Sequence, residues 1–327
     1  MKTSRPKVVL VTNRYQKAIE VLKENDCEVV IWPMPDGVDE PALKVLQNAE
    51  AMIYGLRPLP KEVFERCPRL KCVSLFASGY DSVDLEAASQ QGVYIANAIG
   101  ANSDAVAEFT FGVILSLVRH ITEACIHVRR GGWQKNGFVG IQLKGKALGV
   151  IGFGRIGKRV ARLGKGFGMQ VLGYDPFVTD DIFQQESVSG AGFDDILTKS
   201  DILTLHARLT ESARHMIGKE ELAMMKSSAY LINTGRGELV DEEALLDALD
   251  HERLAGAALD VFHQEPPKDS RIIEHPRILS TPHISGWNDI SRYNIGKTAA
   301  EQVLIAIRGK RPTNAVNDPL KPRNKQT

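Results

Sequence analysis

The chain has 327 residues, more than an average domain holds and enough for two. Lys and Arg number 41 against 40 Asp and Glu, a near balance that argues against nucleic acid or an anionic membrane as the main partner. No apolar run reaches membrane-spanning length, the start carries no leader pattern, and Cys27, Cys67, Cys72 and Cys125 lack C-x-x-C spacing. The expectation is a cytoplasmic protein with buried free thiols and no metal site.

An apolar run at 7–11 opens the chain, followed by a helical pattern through Ala18, Ile19 and Leu22. Strands at 28–31, 51–54, 72–76 and 93–96 alternate with helical segments at 41–46 and 60–66 and a short one from Asp84. This alternation predicts an open parallel sheet with helices on both faces and ligands at the carboxyl ends of the strands. The first strand leads into Thr12-Asn13-Arg14 and not into glycines, so this unit has no phosphate-binding turn. Two of its strand ends carry polar groups of interest. Arg57 follows the 51–54 strand and offers a cation to a carboxylate, or is a solvated surface side chain. Ser78-Gly79 follows the 72–76 strand and offers backbone N–H groups, or is an ordinary turn.

Asn102-Ser103-Asp104 reads as a helix start, and the helix that follows is apolar almost all round from Ala105 to Leu117. Such a helix is buried on several sides, which suits a domain crossing or a subunit interface and predicts a homodimer. His120 and His127, just past it, read as structural or exposed, and Gly131-Gly132-Trp133 as a loop.

Next comes Leu148-Gly149-Val150-Ile151-Gly152-Phe153-Gly154-Arg155-Ile156-Gly157: a short apolar strand, a glycine turn and a helix. Gly152, Gly154 and Gly157 have the spacing of a dinucleotide-binding turn. The first permits the tight turn, the second lets the backbone approach a pyrophosphate, and the third lets helix and strand pack closely. A second strand, 170–174, ends in Asp175, placed to accept hydrogen bonds from an adenosine ribose. An acid there, with no Arg directly following, favours NAD because a 2′-phosphate would be repelled.

Strands at 202–205, 229–233, 254–260 and 278–280 continue the series, with helices at 220–225 and 242–249, the latter capped by Asp241. A helical pattern from 288 through Ile295, Ala299 and Val303 heads back, with 312–316 docking on the first domain. The organisation expected is a discontinuous first domain, 1–100 plus 288–327, for substrate, and a second, 101–287, for the nucleotide. The polar stretch after Pro319 reads as a frayed tail.

Three strand ends of the second domain offer chemistry. Arg236 sits in Thr234-Gly235-Arg236-Gly237, Asp260 leads toward Glu265, and His283 follows Thr281-Pro282 and precedes Ser285-Gly286. Each alone has a plain explanation: a salt bridge, a helix cap, a packed histidine. Together, each just past a strand of one nucleotide-binding sheet, they offer a carbonyl beside a bound nicotinamide a proton donor and orienting groups.

In this order, Ser78-Gly79-Tyr80-Asp81, the glycine turn, Phe167-Gly168-Met169, Tyr174-Asp175-Pro176, Asn233-Thr234-Gly235-Arg236-Gly237, Leu259-Asp260-Val261-Phe262 with Glu265-Pro266, and Thr281-Pro282-His283 span nearly the whole chain. The set resembles the D-isomer-specific 2-hydroxyacid dehydrogenases, a family that includes glycerate, glyoxylate/hydroxypyruvate and 3-phosphoglycerate dehydrogenases. The resemblance implies an α/β protein of two Rossmann-like or flavodoxin-like domains with parallel sheets and an active site in the cleft between them. It implies NAD-dependent interconversion of a small D-2-hydroxy acid and its 2-oxo acid. His283 would be the acid/base, paired with Glu265, which favours imidazolium. Arg236 would polarise the carbonyl and hold the carboxylate. Ser78 and Gly79 would bind the carboxylate by backbone N–H, with Arg57 nearby. Asp260 would orient the nicotinamide carboxamide. Arg155 and Ile156 would lie over the pyrophosphate, and Val106, Ala207, Thr234, Gly235 and Gly286 would complete the cofactor contacts with Arg236 and His283.

The chain departs from the family pattern in two places. Ala207-Arg208-Leu209 stands where a residue followed by Pro-Leu is usual, and Ser285 where glycine is usual. The alternative from another class is an NAD-sensing corepressor or scaffold of the same fold with little turnover. Glu265 argues against formate oxidation, whose enzymes pair the histidine with glutamine; Ser78 argues against phosphite oxidation, where lysine is expected. Arg57, Arg208 and Trp287 are candidates to line the distal end of the substrate.

Overall fold

The structure, a computed structural model, describes residues 5–34, 37–55 and 57–323. Residues 1–4, 35–36, Leu56 and the end of the polar tail, 324–327, lie outside the described residues. The chain divides into two compact units, Met1–Asn102 with Trp287–Thr327, and Ser103–Gly286.

The first unit holds β1 (Lys7–Leu10), β2 (Glu28–Ile31), β3 (Ala51–Tyr54), β4 (Cys72–Leu75) and β5 (Tyr94–Ala96) in a parallel sheet of order β2-β1-β3-β4-β5. Side chains alternate between two cores because successive residues of a strand face opposite ways. Val8, Leu10 and Ile53 pack with Ile295, Ala299 and Val303, whereas Val9, Met52 and Val73 pack with Leu43 and Phe64. Both faces are covered, so β3 and β4 are buried along their whole length. The helix Asp289–Ile307 supplies one cover and starts at Asn288, whose side chain accepts from Ser291 N–H. Beyond it the chain returns to the edge strand: Val316 N–H donates to Ile95 O at 2.8 Å, and Ile95 N–H to Asn317 Oδ1 at 2.8 Å. That pairing protects an otherwise open edge.

The second unit holds β6 (Ala147–Ile151), β7 (Gln170–Tyr174), β8 (Ser189–Gly190), β9 (Ile202–Leu205), β10 (Tyr230–Asn233), β11 (Gly256–Leu259) and β12 (Ile278–Ser280). Their order is β12-β11-β10-β9-β6-β7-β8, again parallel. The direction of winding reverses between β6 and β9, where ligands of such sheets bind.

The helix Ser103–Val118 buries Ala105, Val106, Phe111, Ile114 and Leu117 inside this unit and packs on the helix Arg155–Gly166. Its all-round apolar character is thus accounted for within one copy of the chain. Exposed apolar surface lies instead on the next helix, Ile121–Arg129, which has no buried residue. Ile121, Ile126 and Val128 there are 54%, 41% and 50% exposed. Cys125 rides on this helix and is exposed, against the expectation of burial; the other three cysteines are buried free thiols. No single helix among the described residues is long and apolar enough to cross a membrane.

Candidate active site

The glycine turn joins β6 to the helix Arg155–Gly166, and its three glycines do not share the same surroundings. Gly152 has φ +88, and a Cβ there would lie 2.4 Å from Ala207 N. At Gly157 a Cβ would lie 2.1 Å from Gly152 O. At Gly154 it would meet nothing within 4 Å. Packing therefore explains the outer two and leaves the middle one facing open space, the place where a pyrophosphate would approach the backbone. Gly154 is the N-cap of the helix and no side chain caps it, so its first N–H groups and its dipole are available to an anion.

Asp175, at the end of β7, accepts from Phe153 N–H and Phe177 N–H, both at 2.9 Å. One carboxylate oxygen thus steadies the glycine turn, and each keeps capacity for a ribose hydroxyl. Across the switch point, His206 N–H donates to Ile151 O at 2.7 Å, which seats Ala207 against Gly152. The His206 ring bonds Thr204 Oγ1 through Nε2 at 2.9 Å, and its Nδ1 is buried without a partner. Burial pushes this imidazole down to about 3, so it is neutral at any working pH. The open cradle at Gly154, the uncapped helix end and this orphaned nitrogen all fit a dinucleotide. His206 had no motif to mark it beyond its place after an apolar strand.

At the far side of the same sheet, β12 runs into Thr281-Pro282-His283. His283 has φ +52, a left-handed conformation that costs a β-carbon residue about 1–2 kcal/mol and needs support. Asp260, 2% exposed at the end of β11, supplies it. Its Oδ1 accepts from Thr281 Oγ1 at 2.7 Å and Ile284 N–H at 2.9 Å, and its Oδ2 from Ser285 N–H at 2.8 Å. His283 N–H itself donates to Asp260 O at 2.9 Å. Asp260 therefore shapes the turn that presents His283, a role its position in the sequence did not disclose. Ser285, where glycine is usual, is accommodated with its side chain buried.

His283 Nδ1 lies 2.7 Å from Glu265 Oε2. With Nδ1–H donated to the carboxylate, Nε2 is the nitrogen left for proton transfer. The pair is partly exposed, at 35% and 39% of the two side chains. Burial works to raise the Glu265 carboxyl, but the His283 hydrogen bond and charge, the Phe262 N–H and the Arg236 guanidinium outweigh it and hold it below the ordinary value. Arg236 follows β10 and is half-buried, with Nη1 donating to Gly235 O at 2.8 Å. Buried Asn233 braces this turn, donating to Arg236 O at 2.7 Å and accepting from Gly235 N–H at 3.0 Å. Gly237 lets the turn lie against the Phe262 backbone, where a Cβ would be 1.9 Å from the carbonyl carbon. Thr234 Oγ1 meets Thr110 Oγ1 at 3.1 Å, and Thr110 donates to Val106 O, which ties the start of the Ser103–Val118 helix to this turn. Gly286 is the last residue of this unit.

In the first unit, Ser78 and Gly79 follow β4. Asn97 Nδ2 donates to Ser78 O at 2.6 Å, and Ser78 Oγ to Asn102 Oδ1 at 3.1 Å. Neither the Ser78 nor the Gly79 backbone N–H meets an acceptor among the described residues. Arg57 is exposed beyond the end of β3. Among the described residues no group of His, Cys, Asp and Glu is arranged to hold a metal ion.

Residues 111–285 match the family model described as "D-isomer specific 2-hydroxyacid dehydrogenase, NAD binding domain". A glyoxylate reductase of Thermococcus litoralis is 34% identical over 322 residues, covering 96% of this chain and 97% of that protein. The chain belongs to the D-isomer-specific 2-hydroxyacid dehydrogenase family. It is also 35% identical over 323 residues to a D-3-phosphoglycerate dehydrogenase of Methanocaldococcus jannaschii, covering 98% of this chain and 61% of that protein. The chain thus spans about three fifths of the length of such phosphoglycerate dehydrogenases, that of Bacillus subtilis included at 59%. Among solved structures, the D-lactate dehydrogenase of Aquifex aeolicus, complexed with NAD and lactic acid, superposes with a TM-score of 0.84 at 29% identity. It covers 96% of this chain and 99% of that one.

Proposed function

We propose that this family member reduces a small 2-oxo acid to the D-2-hydroxy acid with NADH and catalyses the reverse oxidation with NAD. The observation that carries this reading is the 2.7 Å His283–Glu265 pair, set at a strand end of the same sheet that carries the open glycine turn. Gly152, Gly154, Arg155, Ile156, Gly157, Asp175 and Ala207 would hold the adenosine and pyrophosphate. Val106, Thr234, Gly235, Asp260 and Gly286 would hold the nicotinamide end. When bound, NADH supplies the hydride that reaches the carbonyl carbon.

The protein's own groups do the rest. Arg236 and the N–H groups of Ser78 and Gly79 hold the carboxylate, and the guanidinium draws density from the 2-oxo group. Imidazolium His283 delivers the Nε2 proton to the carbonyl oxygen as it becomes an alkoxide, and is left neutral. Glu265 keeps Nδ1 protonated and the ring in place. In oxidation neutral His283 removes the hydroxyl proton. NADH oxidation followed at 340 nm with glyoxylate, pyruvate, hydroxypyruvate, phosphohydroxypyruvate and branched 2-oxo acids should show turnover of one or two of them. Tight NADH binding with silence across that panel contradicts the reading and favours a sensor.

The protein is further proposed to be a homodimer whose partner copy covers the exposed face of the helix Ile121–Arg129. The mass in solution should be twice that of the chain; a monomeric mass at micromolar concentration would overturn this.

A further inference from the structure

The carboxyl edge of the first unit's sheet carries a cluster of two arginines on Trp287, itself a candidate from the sequence for the distal end of the substrate. Arg14 follows β1, Trp287 stands just before the helix Asp289–Ile307, and Arg292 lies one turn into it. The Arg14 guanidinium carbon is 6.0 Å from the Trp287 ring centroid, and that of Arg292 is 5.6 Å away. Arg292 Nη2 donates to Arg14 O at 2.7 Å, while its Nε is buried with no hydrogen-bond partner. Neither arginine has a carboxylate in ion-pair reach among the described residues. Two cations therefore share one indole ring without a counter-charge. The cluster is also open to solute, with Arg14 exposed and Trp287 48% exposed.

Its place on the sheet is specific. In the order β2-β1-β3-β4-β5 the winding reverses between β1 and β3, and Arg14 emerges at that switch point, where open α/β sheets bind ligands. The buried Tyr15 ring stacks on Phe76, with centroids 4.0 Å apart and planes 13° off parallel. Phe76 runs directly into Ala77-Ser78-Gly79. One stacked aromatic pair thus connects the arginine cluster to the backbone N–H groups assigned to the substrate carboxylate. Burial raises the Tyr15 hydroxyl while Arg292 and Arg14 work to lower it, which puts both cations beside that ring.

Resting on the reading of the protein as a 2-oxo acid reductase, we propose that Arg14, Arg292 and Trp287 form a distal anion subsite. The preferred substrate then carries a second negative charge, a carboxylate or a phosphate, at the end away from the reacting carbonyl. Guanidinium forks suit either oxyanion bidentately, and the indole wall keeps them oriented and partly dry.

The test is kcat/KM for 2-oxo acids matched in length: 2-oxopentanoate against 2-oxoglutarate, 2-oxobutanoate against oxaloacetate, and hydroxypyruvate against phosphohydroxypyruvate. At least one dianion should be preferred roughly tenfold or more, mainly through KM, with the preference falling as salt rises. Which dianion wins separates carboxylate from phosphate. Arg14→Gln and Arg292→Gln should bring the ratio toward one, and Arg14→Lys should restore part of it. Melting curves check folding. Should Arg292→Gln fail to fold, Arg14→Gln, altered at an exposed side chain, carries the test. Turnover of the monoanions without any dianion preference, or a ratio that survives Arg14→Gln, overturns the subsite and leaves the reductase standing. No turnover of any acid overturns the reductase reading, and the subsite with it.

Discussion

Replacing His283 with alanine is expected to lower kcat for 2-oxo acid reduction by about 10²–10⁴-fold, the usual worth of a positioned proton donor. NADH affinity should change far less, since the role proposed for the imidazole is to deliver a proton. Steady-state kinetics beside a fluorescence titration of NADH separates the two, and turnover within a few-fold of the parent would refute the assignment. Glu265→Gln gives the companion result. The substitution exchanges the anionic acceptor of the Nδ1–H for a neutral amide, so kcat should fall while NADH affinity holds. The Glu265 carboxyl itself is held below the ordinary 4.5. A depressed carboxylate contributes stability that is present above its unfolded value and lost as pH falls through the folded one. The carboxylate's contribution should therefore weaken only below about pH 4.5.

The second large effect separates packing from binding in the glycine turn. Gly152→Ala forces a Cβ to 2.4 Å from Ala207 N at φ +88, and Gly157→Ala forces one to 2.1 Å from Gly152 O. Both obstacles are backbone, so neither can swing aside, and each variant should lose about 1–3 kcal/mol of stability as well as NADH binding. Gly154→Ala places its methyl group in open space. Its melting temperature without ligand should match the parent, while its NADH Kd rises about tenfold or more, because the methyl group occupies the approach of the pyrophosphate. Melting curves and NADH titrations of the three variants decide the matter. Parent-like affinity in Gly154→Ala would mean that the nucleotide lies elsewhere.

The contrast among these glycines shows what the sequence discloses and where it stops. Their spacing is legible, as is the alternation of apolar runs and helices that builds both sheets, because each signal comes from burial. Elements that bury little leave no such trace. Both residues of β8 are exposed, and the helix Ile121–Arg129 buries none of its residues, so no periodic apolar pattern marks either. Candidate functional side chains are legible where a strand ends and polar residues follow at once, as at Arg236 and His283. Their supports are not. Asp260 grips Thr281, Ile284 and Ser285 across more than twenty positions of sequence, and Asn233 braces Arg236 through two bonds that no spacing rule anticipates. His206 follows its strand as any packed histidine would, and only its orphaned Nδ1 sets it apart.

The most direct test of hydride transfer is to supply NADH carrying deuterium at both C4 positions together with pyruvate, hydroxypyruvate, phosphohydroxypyruvate, oxaloacetate or 2-oxoglutarate. The product is then analysed by mass spectrometry and chiral chromatography. The expected product is a 2-hydroxy acid with one deuterium at C2 and D configuration, formed by His283→Ala about 10²–10⁴-fold more slowly than by the parent protein. Bound NADH whose deuterium enters none of these acids, or a labelled product of L configuration, would contradict it.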